Sequence, residues 1–113
     1  MFTNAAAGLH GEDALHAIGE AYTQRITSDP MMLQLQLVGY GSCDDDVVRA
    51  AMRAGYKRLV EYVEQVSGAD RETVSLFFAR GMLLNIATAM RLDTDPVDWG
   101  TRLMEGCKPD SYS

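Results

Sequence analysis

The residues able to do chemistry in this chain are few and scattered. His10 and His16 fall on different faces of any helix that carries both, and no third histidine completes a zinc-type site. The densest acidic run, Asp44, Asp45 and Asp46, lacks the glycine and the distal glutamate of a calcium loop. Its carboxylates suit the positive end of a helix dipole instead. Cys43 stands beside that run without a histidine to activate it, so it reads as a passive thiol. No GxSxG elbow, phosphate loop or dinucleotide fingerprint is present. The expectation is a protein that is not an enzyme, with no metal site and no cofactor.

A second set of residues suggests recognition. Tyr22, Tyr40, Tyr56 and Tyr62, with Met31, Met32, Met52, Met82 and Met90, supply adaptable apolar surface with a few polar tips. Such a set lines a pocket or fills an ordinary helical core, and composition alone leaves both open. Gln34, Gln36 and Asn85 sharpen the choice, because uncharged amides within apolar helices must find partners. The partner can be a ligand, a water or a backbone carbonyl.

The elements that must position these groups are helices. A first, about 12–28, carries Leu15, Ile18, Tyr22 and Ile26 on one stripe. A second opens at Asp29-Pro30, cap followed by a residue that needs no donor, and runs to about Gly41. Within it, Leu33, Leu35 and Leu37 alternate with Gln34 and Gln36 as in a strand, but no partner strand exists, so helix is expected. A third, from Asp44 to about Ser67, has an apolar stripe of Val48, Met52, Gly55, Tyr56, Leu59, Val63 and Val66. Pairs Asp45–Arg49 and Lys57–Glu61 are expected on it, with Gly68 as its left-handed stop. The fourth, after Asp70 and reaching about Arg91, is apolar on two faces. One holds Val74, Phe77, Phe78, Gly81, Asn85 and Thr88; the other holds Leu76, Ala79, Leu83, Ile86, Ala87 and Met90. A short fifth follows Asp95-Pro96, carries Trp99 and Leu103, and stops near Gly106. Together these define an all-α chain, an antiparallel bundle of about five helices.

Composition bounds the function. With 113 residues, 47% of them apolar and 23% charged, the chain should build one packed domain. Ten Lys plus Arg against sixteen Asp plus Glu leave a net charge of −6, which repels phosphate backbones and disfavours autonomous nucleic-acid binding. Cys43 and Cys107 form no CxxC, which fits a reducing cytoplasm. The start lacks a signal peptide's basic and apolar regions, and no run reaches the roughly 18 apolar residues of a membrane span, so no membrane association is expected.

The order ALHAIGEAYTQRI, then DPMMLQLQLVGYGSCDDDVVRAAMRAGYKRLVEYVEQVSGAD, then SLFFARGMLLNIATAM resembles the C-terminal regulatory domain of TetR-family transcriptional regulators, over about Gly11 to Leu92. The resemblance implies a ligand cavity among the first four helices and dimerisation through the last two long ones. Tyr22, Gln36, Tyr40, Met52, Tyr56, Phe78, Met82 and Asn85 are the expected cavity wall, for a small hydrophobic or amphipathic effector. Arg53, near the same stripe, leaves a carboxylate ligand open. Leu76, Ala79, Leu83, Ile86, Ala87 and Met90, with Trp99 and Leu103, are the expected homodimer interface. The domain is expected over 11–106, with 1–10 the remnant of a connecting helix and 107–113 a loose tail. DNA contact is expected only through a helix-turn-helix that these residues do not include. A stand-alone helical interaction module that pairs with a full-length relative is the alternative.

Overall fold

The computed structural model describes residues 10–107. Five α-helices and one 3-10 helix are present among them: α1 Gly11–Ser28, α2 Pro30–Gly41, α3 Asp46–Ser67, α4 Arg71–Ala89, α5 Asp98–Leu103 and the 3-10 turn Met104–Cys107. The chain is an all-α helical bundle, with no strand among the described residues. The expected segment 1–10 lies outside them except for His10, and so does the tail from residue 108 on. No described helix is long and apolar enough to cross a membrane.

Side chains open most of these helices. Asp29 accepts from the Met32 amide at 3.3 Å, with Pro30 in the first turn. Asp45 caps α3, its Oδ1 accepting from the Val47 and Val48 amides at 2.9 and 3.0 Å. That placement corrects two expectations. The helix begins at Asp46, not Asp44, and Arg49 pairs with Asp46 at 2.6 Å rather than with Asp45, whose carboxylate is occupied by the cap. Lys57 and Glu61 do pair, at 3.0 Å, and Gly68 ends α3 at φ 63°. Asp70 caps α4 through the Thr73 amide at 2.8 Å.

The Asp70 cap is a pH-dependent one. The backbone hydrogen bond from Thr73, aided by the Thr73 side chain, holds the carboxyl below its ordinary 3.8. A depressed carboxyl contributes stability above its unfolded value and loses it as pH falls through the folded one. Asp70→Ala is therefore expected to lower the melting temperature at pH 7, with the difference from the native chain closing below pH 3.8 as both are followed by circular dichroism into acid.

The core forms where α1 meets α3 and α4. Ala14, Leu15, Ile18, Val63, Val74 and Phe77 make one buried cluster, with Leu59, Tyr62, Val66 and Phe78 packed against it. The α2 segment is helical, and this overrides the alternating pattern: Leu33 is buried, Gln36, Leu37 and Tyr40 are half-buried, and Leu35 is turned outward. Its outer face keeps Met31, Leu35 and Val38 in solvent.

The end of α4 differs from expectation. The helix stops at Ala89, and Arg91 takes a left-handed φ of 60° although it is not glycine. The Leu92 amide then reaches back to the Ala87 carbonyl and the Arg91 amide to that of Thr88, both at 3.0 Å, the two bonds of a Schellman stop. Ala87 sits where the chain turns back and is 3% exposed, so it does not share the outer face assigned to it. Leu76, Ala79 and Ile86 lie exposed on α4 and Met90 at its C-cap, Leu83 is half-buried, and Trp99 and Leu103 are exposed on α5. Cys107 is not loose. Its Sγ lies 3.7 Å from the Arg80 carbonyl, and the 3-10 turn packs on α4.

Candidate functional site

Four helices converge on polar side chains that the core cannot absorb. Tyr22 on α1, Gln36 and Tyr40 on α2, Tyr56 on α3 and Asn85 on α4 each point inward from an otherwise apolar stripe. Their polar atoms satisfy one another in a chain. Tyr22 Oη donates to Asn85 Oδ1 at 2.5 Å, Gln36 Nε2 donates to Tyr22 Oη at 2.8 Å and to Tyr40 Oη at 3.0 Å, and Tyr40 Oη donates to Tyr56 Oη at 3.4 Å. Five neutral groups from four helices are thereby fixed relative to one another.

Beside this chain lies a half-enclosed cavity of about 870 Å³. The eight side chains expected on a cavity wall, Tyr22, Gln36, Tyr40, Met52, Tyr56, Phe78, Met82 and Asn85, all stand on it. Rings line it in sequence: Tyr40 to Tyr56 at 5.9 Å between centroids, Tyr56 to Phe78 at 6.1 Å, and Phe78 edge-on to Phe77 at 5.5 Å. The volume lies in the range of small-molecule sites, and the wall combines apolar bulk with a few fixed polar groups.

Other residues fall elsewhere. Gln34 is at the surface and takes no part, as does Met31; Met90 is exposed, and Tyr62 packs on the core. Arg53 is exposed and off the wall, which removes the cation proposed for a carboxylate ligand. The charged wall residues are instead Glu20 and Arg80, with His16 beside them. Met104 and Cys107 also reach the wall, although they follow the last helix and carry no helical stripe. Gly55 and Gly81 line it too; both were visible as members of inward stripes, but a glycine on a stripe signals nothing by itself.

The electrostatics keep the tyrosine hydroxyls of the wall neutral. Burial pushes the Tyr22 hydroxyl above its ordinary value, against the lowering effect of the Gln36 amide that donates to it. Burial, then the hydrogen bond to Tyr56, pushes Tyr40 further in the same direction. Both remain protonated at neutral pH. Burial also raises the Cys107 thiol, which disfavours the thiolate. Among the described residues no group of three His, Cys, Asp or Glu could hold a metal ion. Around the Tyr22–Gln36–Tyr40–Tyr56–Asn85 chain the wall offers apolar contact and neutral hydrogen bonding, the means of holding the uncharged part of an amphipathic guest, while Glu20, Arg80 and His16 also line it.

One close approach shapes the wall. A Cβ placed on Gly39 would lie 2.9 Å from Met52 Sδ and 3.2 Å from its Cε, so Met52 keeps its present place against α2 only while position 39 is glycine. Methionine is flexible and can move aside. Gly39→Ala is expected to change stability by less than about 1 kcal/mol, helix propensity offsetting the clash, while it drives Met52 toward the cavity. Urea unfolding and guest titration on the same variant check the two halves of that expectation. Against known proteins, the chain matches no family model, no curated protein and no solved structure.

Proposed function

We propose that this chain is the regulatory domain of a TetR-like repressor: it senses a small hydrophobic or amphipathic molecule and dimerises. The observation that carries this reading is the cavity of about 870 Å³ with the neutral Tyr22–Gln36–Tyr40–Tyr56–Asn85 chain on its wall. A core built only for stability has no use for five polar groups around a void, since apolar packing at that place would be denser. A guest bridging α1, α2, α3 and α4 would favour the one arrangement of helices that fits it. Occupancy then shifts the population between arrangements, and a DNA-binding head joined to this domain would feel the shift. The sequence resemblance over Gly11 to Leu92 supports the same assignment.

A panel of neutral hydrophobic compounds, screened by thermal shift, tests it. A compound at 100 times its dissociation constant stabilises by about 2.7 kcal/mol, a rise of several degrees for a domain of this size. Phe78→Ala and Tyr56→Ala are expected to abolish that rise. A panel with no rise at all defeats the sensor reading. The second reading, a helical interaction module, draws on the exposed Leu76, Ile86, Met90 and Trp99, and would survive that outcome if the chain pairs with a partner without any ligand.

A further inference from the structure

Asn85 is the most buried polar group on the cavity wall, 3% exposed, and only half of its amide is used. Its Oδ1 accepts from Tyr22, while its Nδ2 donates to no described residue. No buried side-chain nitrogen or oxygen of the described residues lacks a partner, so Nδ2 is not sealed among packed atoms, and Asn85 stands on the cavity wall. At the other end of the chain, the Tyr56 hydroxyl accepts from Tyr40 and keeps its own hydrogen for a further acceptor. The network thus ends in donors on both sides. Its spare carbonyl, Gln36 Oε1, belongs to a residue only half-buried.

Two glycines add a second observation. A Cβ on Gly81 would meet nothing within 4 Å, and one on Gly55 would meet only Arg58 Nη2 at 4.0 Å. Both lie in helix interiors, where alanine is the more stable residue, and neither has a neighbour as close as Met52 is to Gly39. What they provide is open width on the cavity wall.

We propose that the cavity takes a neutral molecule with a bulky apolar body and a carbonyl-type acceptor oxygen, the oxygen received by Asn85 Nδ2 and the body seated in the width left by Gly55 and Gly81. The proposal rests on the effector-binding reading above and narrows its ligand class. An amide donor on a cavity wall discriminates between guests that differ in one acceptor, because the seated guest lacking it leaves the donor desolvated and unpaired. An ammonium seated at Asn85 is disfavoured twice, by its desolvation and by the donor it would face there, although Glu20 stands elsewhere on the lining.

Benzophenone, diphenylmethane and aminodiphenylmethane share a body and differ in one group, and their dissociation constants for the full chain test the proposal. The ketone is expected to bind about fivefold tighter than the hydrocarbon, the worth of one net hydrogen bond, and the amine weakest. Asn85→Leu should bring ketone and hydrocarbon together. Should that variant not fold, the Asn85 side-chain amide resonances of the native chain serve instead, shifting with benzophenone and not with diphenylmethane. Gly81→Ala should weaken ketone and hydrocarbon alike without lowering the melting temperature; unchanged binding overturns the role given to the width. Equal binding of ketone and hydrocarbon, or tightest binding of the amine, overturns the carbonyl assignment and leaves the effector reading standing. Binding of none of the three overturns the inference. If the wider hydrophobic panel then gives no hit either, the effector reading falls with it, whereas a panel hit without a carbonyl preserves that reading alone.

Discussion

Ile86→Glu is expected to run as a monomer at tens of micromolar, a concentration at which the native chain is expected to run as a dimer. Leu76, Ala79, Leu83, Ile86 and Met90 recur at alternating steps of three and four along α4, the spacing that packs helices into four-helix bundles. Ile86 is 44% exposed, Met90 49% and, on the following helix, Trp99 50%, which is a large apolar cost to leave in water. A two-fold interface presents the same patch from both copies, so one substitution places two carboxylates at or near the axis. Each buried, unpaired carboxylate costs several kcal/mol, and a rise of at least about a hundredfold in the dissociation constant is the minimum expected. Sedimentation of the two proteins over a range of concentrations measures it. The circular dichroism of the variant should match the native chain, because Ile86 already faces solvent in the single chain. A native chain that sediments as a monomer throughout refutes the interface, and a variant that remains dimeric moves it elsewhere, first to the outward Met31, Leu35 and Val38 of α2.

The structure separates what local chemistry can announce from what it cannot. Asp29-Pro30, Asp70 and Gly68 act through the backbone a few residues away, so their roles are readable from neighbours alone. The cavity wall was readable for a related reason. Tyr22, Gln36, Tyr40, Met52, Tyr56, Phe78, Met82 and Asn85 all belong to helices long enough to define a face, and a helical face fixes direction. Where two chemically valid local solutions compete, sequence falls short. Asp45 and Asp46 are equally able to cap α3 or to pair with Arg49, and the choice depends on where the chain enters the helix.

Tertiary reversals are the other blind spot. Ala87 is expected on the outer face with Ile86, yet it is buried, close to the reversal at Arg91, a non-glycine in a left-handed conformation that no local signal marks. Met104 and Cys107 are brought to the cavity by the same reversal, which carries the 3-10 turn onto α4. Leu35 shows the converse. Its alternation with Gln34 and Gln36 imitates a strand, and only the absence of any second strand turns the segment into a helix with an apolar outer face. Asn85 combines both lessons: its face was legible, but that half of its amide stays unused depends on where Tyr22 and Gln36 meet it.

Leu15→Ala should be the most destabilising conservative truncation in the molecule, because α1 is fixed to the bundle at that point. Leu15 is 0% exposed, stands beside Ala14 and Ile18 at 0% and 1%, and packs in the cluster that contains Val63, Val74 and Phe77. Removing its three outer carbons loses transfer energy and leaves a void whose walls belong to three different helices, α1, α3 and α4, and so cannot collapse by moving one of them. A loss of about 3 kcal/mol is expected, within the range of about 2 to 5 for such changes, and a fall in melting temperature of roughly 10 to 20 °C follows for a domain of this length. Tyr22, on the same helix but on the cavity wall, provides the contrast. Tyr22→Phe removes the hydroxyl that joins Gln36 to Asn85 and is expected to cost only about 1 kcal/mol, since cavity and solvent can supply both released groups. Urea unfolding and guest titration separate the two. Leu15→Ala should lower the unfolding midpoint while the remaining folded protein binds as the native chain does, whereas Tyr22→Phe should keep most of the stability and lose discrimination between benzophenone and diphenylmethane. A Leu15→Ala cost below about 1 kcal/mol would mean that α1 does not depend on this cluster for its attachment.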